Sequence, residues 1–230
     1  MNSDVRGWQI MPIYKLQRKG NDLSDAELVE ASKTGLKLEG HLEGWLEHSP
    51  WAIAQEPILI IGRQTTAALE DGRVFPDLLG LDIEGNIVIA ELKKGNTPRE
   101  VIAQLLEYAA WASELSDDYI HEIAERYFLS VPLLEEKTLE EMFYSTFEIE
   151  EMPSLNQRLR LFIAAEQISP TISRVCRFLR TAHGVDVNCI DFSVYQTESG
   201  EILVNSQVVV GQEDVIPPKK TISERWSGDK

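Results

Sequence analysis

Residues Val74 to Lys93 read VFPDLLGLDIEGNIVIAELK. Two short apolar runs, Val74 to Asp82 and Ile87 to Lys93, flank Ile83-Glu84-Gly85-Asn86, whose glycine and asparagine favour a tight turn. The stretch therefore predicts a β-hairpin. Pairing its strands brings Asp77 near Glu91. Side chains alternate faces along a strand, so Glu91 and Lys93 point one way while Ala90 and Leu92 point the other. Polar groups in an apolar strand carry a desolvation penalty unless they have partners or chemical work.

Downstream, Thr97-Pro98-Arg99-Glu100 has the form of a helix start: an N-cap threonine, proline at the first helical position and glutamate three residues after the cap. The helix is expected to run to about Ser113 or Leu115. Gln104 and Tyr108, four residues apart, share one of its faces, while Val101, Ile102, Leu105, Ala109 and Ala112 supply apolar contacts. Upstream, Leu38 to Leu46 (LEGHLEGWL) predicts a short helix that buries Leu38, Leu42, Trp45 and Leu46. Glu39 and Glu43 share a face there, a like-charge pair that a nearby cation would relieve. Taken singly, these features fit a hairpin salt bridge, a core-boundary pair and a solvated glutamate stripe. Together they supply the two carboxylates, lysine and amide that a metal-dependent phosphodiesterase needs.

The combination EGHLEGWL, IIGRQ, GRVFPDLLGLD, VIAELKKG and QLLEY, spanning Glu39 to Tyr108, resembles the PD-(D/E)xK nuclease superfamily. The likeness is to its RecB-like branch with a Gln-x-x-x-Tyr motif, and within that to the nuclease domain of the EndoMS/NucS endonucleases. It covers roughly a third of the chain. The resemblance implies that Asp77, Glu91 and the Leu92 backbone carbonyl bind Mg2+ or Mn2+, hard cations that favour oxygen ligands. Lys93 would position or activate the attacking water and offset phosphate charge. Glu39 would reach the metal directly or through water, with Glu43 standing in if the register slips by one turn. Gln104 would orient Lys93 or the water. The substrate-binding candidates are Tyr108, Arg63, Arg73 and Lys94. The mismatch-cutting relatives carry an N-terminal dimerisation and DNA-binding domain, and only about 35 residues precede Glu39, so mismatch specificity is not carried over.

The 230 residues suffice for one large core or a core with an appendage. No run of eighteen apolar residues exists, so no membrane span is expected. The start, MNSDVRGWQIMPIYKL, lacks a basic-then-apolar leader. Cys176 and Cys189, the only cysteines, lack metal or redox spacing and fit reduced buried thiols, so a cytoplasmic location is expected.

The formal net charge of −16 argues against a broad nucleic-acid footprint, yet it is unevenly spread. Between Asp117 and Glu151, eleven acids stand against Arg126 and Lys137. From Arg158 to Ile190 the sign reverses: five arginines (Arg158, Arg160, Arg174, Arg177, Arg180) face only Glu166 and Asp186. Arg174, Arg177 and Arg180 recur every three residues along an expected helix, Pro170 to Ala182, that Gly184 could terminate. This stripe either holds phosphates or pairs with the acidic segment.

The expected organisation has three parts: residues 1–35, with a strand at Gln9 to Leu16 and then a polar stretch turning at Gly20-Asn21; residues 36–152, a nuclease-like core with an acidic helical extension; and residues 153–230, a strand-helix-strand-strand unit with its own or a shared sheet and a polar tail. The core should hold a strand at Ile58 to Gln64 and helices at Asp118 to Tyr127 and Leu139 to Tyr144. The third part should hold strands at Arg158 to Ala165, Val187 to Tyr195 and Ile202 to Val210. The fold class is mixed α/β, a restriction-endonuclease-like core with a central mixed sheet flanked by helices. The function expected is a Mg2+- or Mn2+-dependent nuclease acting on DNA, with RNA as a variant. The C-terminal unit either contacts substrate or builds a homodimer. The competing expectation is an inactive nuclease-fold module that binds a protein partner through its acidic surface.

Overall fold

A computed structural model describes residues 13–17, 27–35, 39–63 and 76–211. In chain order its elements begin with β1 (Ile13–Gln17), β2 (Glu27–Thr34), α1 (Glu39–His48), α2 (Trp51–Ala54) and β3 (Leu59–Arg63). Next come β4 (Leu78–Leu81), β5 (Ile87–Asn96), α3 (Glu100–Ala112), α4 (Asp117–Ser130) and α5 (Leu139–Phe147). The series ends with β6 (Leu159–Gln167), α6 (Pro170–His183), β7 (Val187–Gln196) and β8 (Ile202–Val210). The chain forms two compact units, Met1–Gly35 with Ser193–Asn205, and Leu36–Phe192 with Ser206–Lys230.

In the smaller unit β1 and β2 pair antiparallel, Ile13 opposite Ala31, and the end of β2 pairs with the end of β7, Thr34 opposite Val194. β2 falls in the stretch expected to be polar and irregular. Its pattern hides it, because Ala31 is its only fully buried side chain and Leu28 is exposed. Cross-strand hydrogen bonds, which leave no mark in composition, hold it. The turn expected at Gly20-Asn21 lies outside the described residues.

The larger unit is built on a sheet ordered β7-β6-β5-β4-β3. β3, β4 and β5 form an antiparallel meander, whereas β5, β6 and β7 run parallel. Parallel neighbours need crossovers, supplied by α3 to α5 between β5 and β6 and by α6 between β6 and β7. The fold is therefore mixed α/β, a central mixed sheet flanked by helices. The alternative left open for the C-terminal part is decided: β6 pairs directly with β5, Glu91 opposite Ile163, so both halves share one sheet across the boundary expected near Pro153.

β5 is the central strand, and Ile87 to Leu92 are all buried, as a strand covered on both faces requires. The hairpin forms as expected. Asp82 Oδ1 accepts the N–H groups of Glu84 and Asn86, both at 2.9 Å. Gly85 adopts φ +76°, and a Cβ there would come within 2.9 Å of the Ser154 carbonyl, so glycine is required twice over.

Paired residues share a face of the sheet. Glu91, Ile163 and Cys189 are linked by register, and the Cys189 thiol hydrogen-bonds Cys176 of α6. α6 thus covers the face that carries Glu91. Both cysteines are free and buried, and the hydrogen bond with Cys176, then burial, pushes the Cys189 thiol far up. On the opposite face, Arg160, Phe162, Asn188 and Ile190 line a cavity of about 840 Å³.

One helix start differs from expectation. α3 begins at Glu100, with Arg99 in the capping position and no side-chain cap. The Thr97 hydroxyl is used elsewhere, accepting the Ser169 N–H at 2.9 Å where β6 leads into α6. α4 and α5 have the caps their sequences invite: Ser116 Oγ accepts from Tyr119 N and Thr138 Oγ1 from Glu141 N. α6 ends at Gly184 (φ +68°), as expected.

Among the described residues, the ion pairs of Arg160 and Arg180 lie outside the acidic segment. Arg160, whose side chain is 12 % exposed, meets Glu56, Asp82 (3.1 Å) and Asp186 (3.8 Å) and lies over the Phe162 ring. Arg180 pairs with Asp186, and Arg177 donates to Ser173 Oγ and to the Val209 carbonyl. Among the described residues, the acidic segment holds two i, i+4 ion pairs, Glu122–Arg126 and Lys137–Glu141, and the contact of His121 on α4 with Glu140 on α5. Among the described residues no helix is long and apolar enough to cross a membrane.

Arg160→Met should lower unfolding free energy by about 3 kcal/mol, because it leaves the buried Asp82 carboxylate its hydrogen bonds from Glu84 and Asn86 but removes the guanidinium that balances its charge. Arg174→Gln, at an exposed site, should stay within about 0.5 kcal/mol of wild type. Urea denaturation of both variants tests the contrast.

Candidate functional site

The site begins where Pro76 ends a ladder. Leu78 pairs with Ala90 and Gly80 with Val88. One more step in that register sets Pro76 opposite Leu92. Ile87 donates its N–H away from β4, to the Arg158 carbonyl, so the N–H groups of Val88, Ala90 and Leu92 face β4. A strand residue's N–H and C=O point to the same side, so the Leu92 carbonyl faces β4 as well. Proline has no N–H to give it. The Leu92 N–H, for its part, is taken by Asp77 Oδ2 at 2.7 Å, a side-chain substitute for the missing rung. Pro76-Asp77 thus both stops the hairpin and pins a buried carboxylate to β5.

The same register brings Asp77 level with Glu91. Both are buried, 6 % and 2 % exposed. Lys93, two residues on and on the same face, places Nζ 2.6 Å from Glu91 Oε1. The other oxygen, Glu91 Oε2, is buried and accepts no hydrogen bond from the described residues. Opposite Lys93, β6 carries only the small Ala165, which leaves room for the long side chain.

α3 packs on β5 and β6 and brings Tyr108 to this corner. Burial first, then Glu91, Asp77 and Glu107, push the phenol well above its usual 10, so Tyr108 keeps its proton and acts as a hydrogen-bond donor. That both carboxylates act on one phenol locates the three groups in a single neighbourhood. Gln104 lies one turn earlier on α3 and is half-buried.

The remaining candidates are more dispersed. Glu39 opens α1, but its side chain lies outside the described residues, as does all of Arg73. Arg63 pairs with Leu78 and hence shares the face of Ala90, not that of Glu91. Its guanidinium bonds Glu43 and Glu47, each at 2.5 Å, and the Glu43 bond heads the causes that raise its pKa. Tyr127 completes this group by donating to Glu47 at 2.9 Å. Glu43 and Arg63 therefore tie α1 to β3. Lys94 is exposed.

Glu166 was not singled out by its sequence context. Its Oε2 accepts the Gly95 N–H at 2.7 Å, where the β5–β6 register shifts between Lys93 and Asn96. This bond shapes the bulge that turns the chain from Lys93 toward α3. A glutamate following an apolar strand gives no hint of a partner 71 residues away.

Among the described residues, no three His, Cys, Asp or Glu side chains cluster at metal-binding spacing. Asp77, Glu91 and the Leu92 carbonyl still make a set of hard oxygen donors. Such a set suits Mg2+ or Mn2+, which take one or two carboxylates and complete their shell from water and substrate.

Replacing Glu91 with glutamine should move the Tyr108 pKa down, yet leave it above 10 because burial is the larger cause. A tyrosinate absorbance titration, read as the difference from Tyr108→Phe, measures this. An unchanged Tyr108 curve would show that Glu91 does not face the phenol.

No protein-family model, curated protein or solved structure matches this chain.

Proposed function

We propose that this protein is a metal-dependent nuclease of the PD-(D/E)xK type that hydrolyses phosphodiester bonds, in DNA foremost. One observation carries the reading. At the point where Pro76 interrupts the β4–β5 ladder, two buried carboxylates and a backbone carbonyl come together beside Lys93. A salt bridge built only for stability needs one carboxylate for one lysine, and none of the loss of pairing that Pro76 causes.

Asp77 and Glu91, with the Leu92 carbonyl, would hold Mg2+ or Mn2+. Bound there, the ion supplies Lewis acidity that makes water a better nucleophile and offsets phosphate charge. Lys93, with Nζ beside Glu91, would as a cation stabilise charge building on the phosphate oxygens. Tyr108 offers a donor to a phosphate oxygen, since its proton is firmly held. Gln104, on the same helical face, is the candidate to orient Lys93 or the attacking water.

The second reading is a nuclease-fold module that binds a basic protein through α4 and α5. Its support is that many acids on these helices are exposed with few local bases. That reading assigns no task to Asp77 or Glu91, so dependence of metal binding on them separates the two.

Purified protein with Mn2+ should cut at least one of single-stranded, duplex or branched DNA, or RNA, and EDTA should stop it. Asp77→Ala and Lys93→Ala, both folded by circular dichroism, should each lose on the order of a hundredfold or more in rate. Equal cutting by the variants would remove the site from the chemistry. No cutting, together with no Asp77-dependent Mn2+ binding by calorimetry, would favour the partner-binding module.

A further inference from the structure

α6 is out of keeping with the rest of this acidic chain. It carries Arg174, Arg177, Arg180 and His183 and not one acid, whereas the protein as a whole has a formal charge of −16. Ile172, Ser173 and Cys176 face inward. Arg180 turns to Asp186. The outward stripe is Thr171, Arg174 and Phe178, spaced i, i+3, i+7 and all exposed. Phe178 is 56 % exposed, and its ring meets the edge of His183 at 4.9 Å. Arg177, beside the stripe, is steadied by Ser173 and Val209. A lone exposed phenylalanine on a helix is ordinary. One set among arginines and a histidine, with no acid on the helix, has the make-up of a surface for phosphates and bases.

Its position matters as much as its charge. α6 lies on the sheet face that bears Glu91, since Cys176 meets Cys189 and Cys189 is in register with Ile163 and Glu91. The helix starts at the site's own end of the sheet. Ser169, its N-cap, donates its backbone N–H to Thr97, just past Lys93 and the Gly95 bulge. Arg99, exposed at the start of α3, flanks the same junction. Exposed cations therefore run from the end of β5 onto α6, whose fourteen residues extend about 21 Å.

We infer that a single-stranded nucleic-acid segment leaves the Asp77–Glu91–Lys93 site and runs along the outer face of α6, with Arg174 on its phosphates and Phe178 stacked on a base. The inference rests on the nuclease reading and assigns that site its substrate class. A duplex keeps its bases stacked and would leave Phe178 idle. A single strand presents bases to an aromatic face and needs only a narrow charged track, which suits a chain with a formal net charge of −16.

Binding and chemistry are tested separately. Fluorescence anisotropy of labelled oligothymidine and of a labelled duplex, in EDTA and over a range of salt, reads binding without cleavage. Arg174→Gln should weaken single-strand binding and lower its salt slope by about 0.7, the value for one lost phosphate contact. Phe178→Ala should weaken single-strand binding about tenfold with the slope unchanged, and leave duplex binding as it was. Mn2+-dependent hydrolysis of bis(p-nitrophenyl) phosphate, too small to reach α6, should persist in both variants and vanish in Asp77→Ala. Unchanged single-strand affinity in both variants overturns the α6 track even if the small ester is hydrolysed. An equal loss of duplex binding in Phe178→Ala overturns the stacking role. Binding that depends on α6 without ester hydrolysis in wild type would instead count against the nuclease reading and leave the track in place.

Discussion

The architecture turns on β5. It is buried on both faces, antiparallel to β4 on one side and parallel to β6 on the other. A strand in that position must satisfy its backbone on both edges, and any polar side chain on it must find partners without water. For most of its length Ile, Val, Ala and Leu meet the demand. At Glu91 to Lys93 they do not, and there the hairpin ends at a proline, an aspartate takes over the missing rung, and a lysine meets the glutamate. The irregularity is confined to one corner of an otherwise regular sheet, with Tyr108 and the Glu166–Gly95 bond closing in around it.

Charge follows a related logic. The chain is strongly acidic, yet partly buried guanidinium groups act as fasteners. Arg160 gathers Glu56, Asp82 and Asp186, and Arg63 gathers Glu43 and Glu47. Arg fits this role because its planar fork satisfies several carboxylates at once. The acids of α4 and α5 remain outward, around an apolar face of Ile120, Ile123, Tyr127, Phe128, Phe143 and Phe147. Net charge therefore says little about any one surface. α6 has no acid at all, and the face it covers is the face of the two site carboxylates.

Much of this was legible in the chain. The β4–β5 hairpin follows from two short apolar runs around a Gly-Asn turn. α6 follows from Pro170 at one end and Gly184 at the other, and β8 from its β-branched ends between Ile202 and Val210. These signals are local, and local sterics and capping decide them. β2 was missed because it buries almost nothing. Thr97 was assigned to the wrong task because a hydroxyl before a proline looks like a cap, whereas the competing donor, the Ser169 N–H, is 72 residues away. The arginine stripe was legible as charge but not as partners.

By itself the sequence determined most element types, the hairpin, the stop of α6 at Gly184 and the shared face of Glu91 and Lys93, since each depends on backbone sterics, side-chain periodicity or neighbours a few residues apart. Only the tertiary structure decided that the C-terminal strands join the same sheet, that Arg63 and Arg160 serve as internal fasteners, and that α6 lies on the face of Asp77 and Glu91. Those outcomes rest on contacts between residues far apart in the chain, where hydrogen bonds and burial select one partner among many that composition allows.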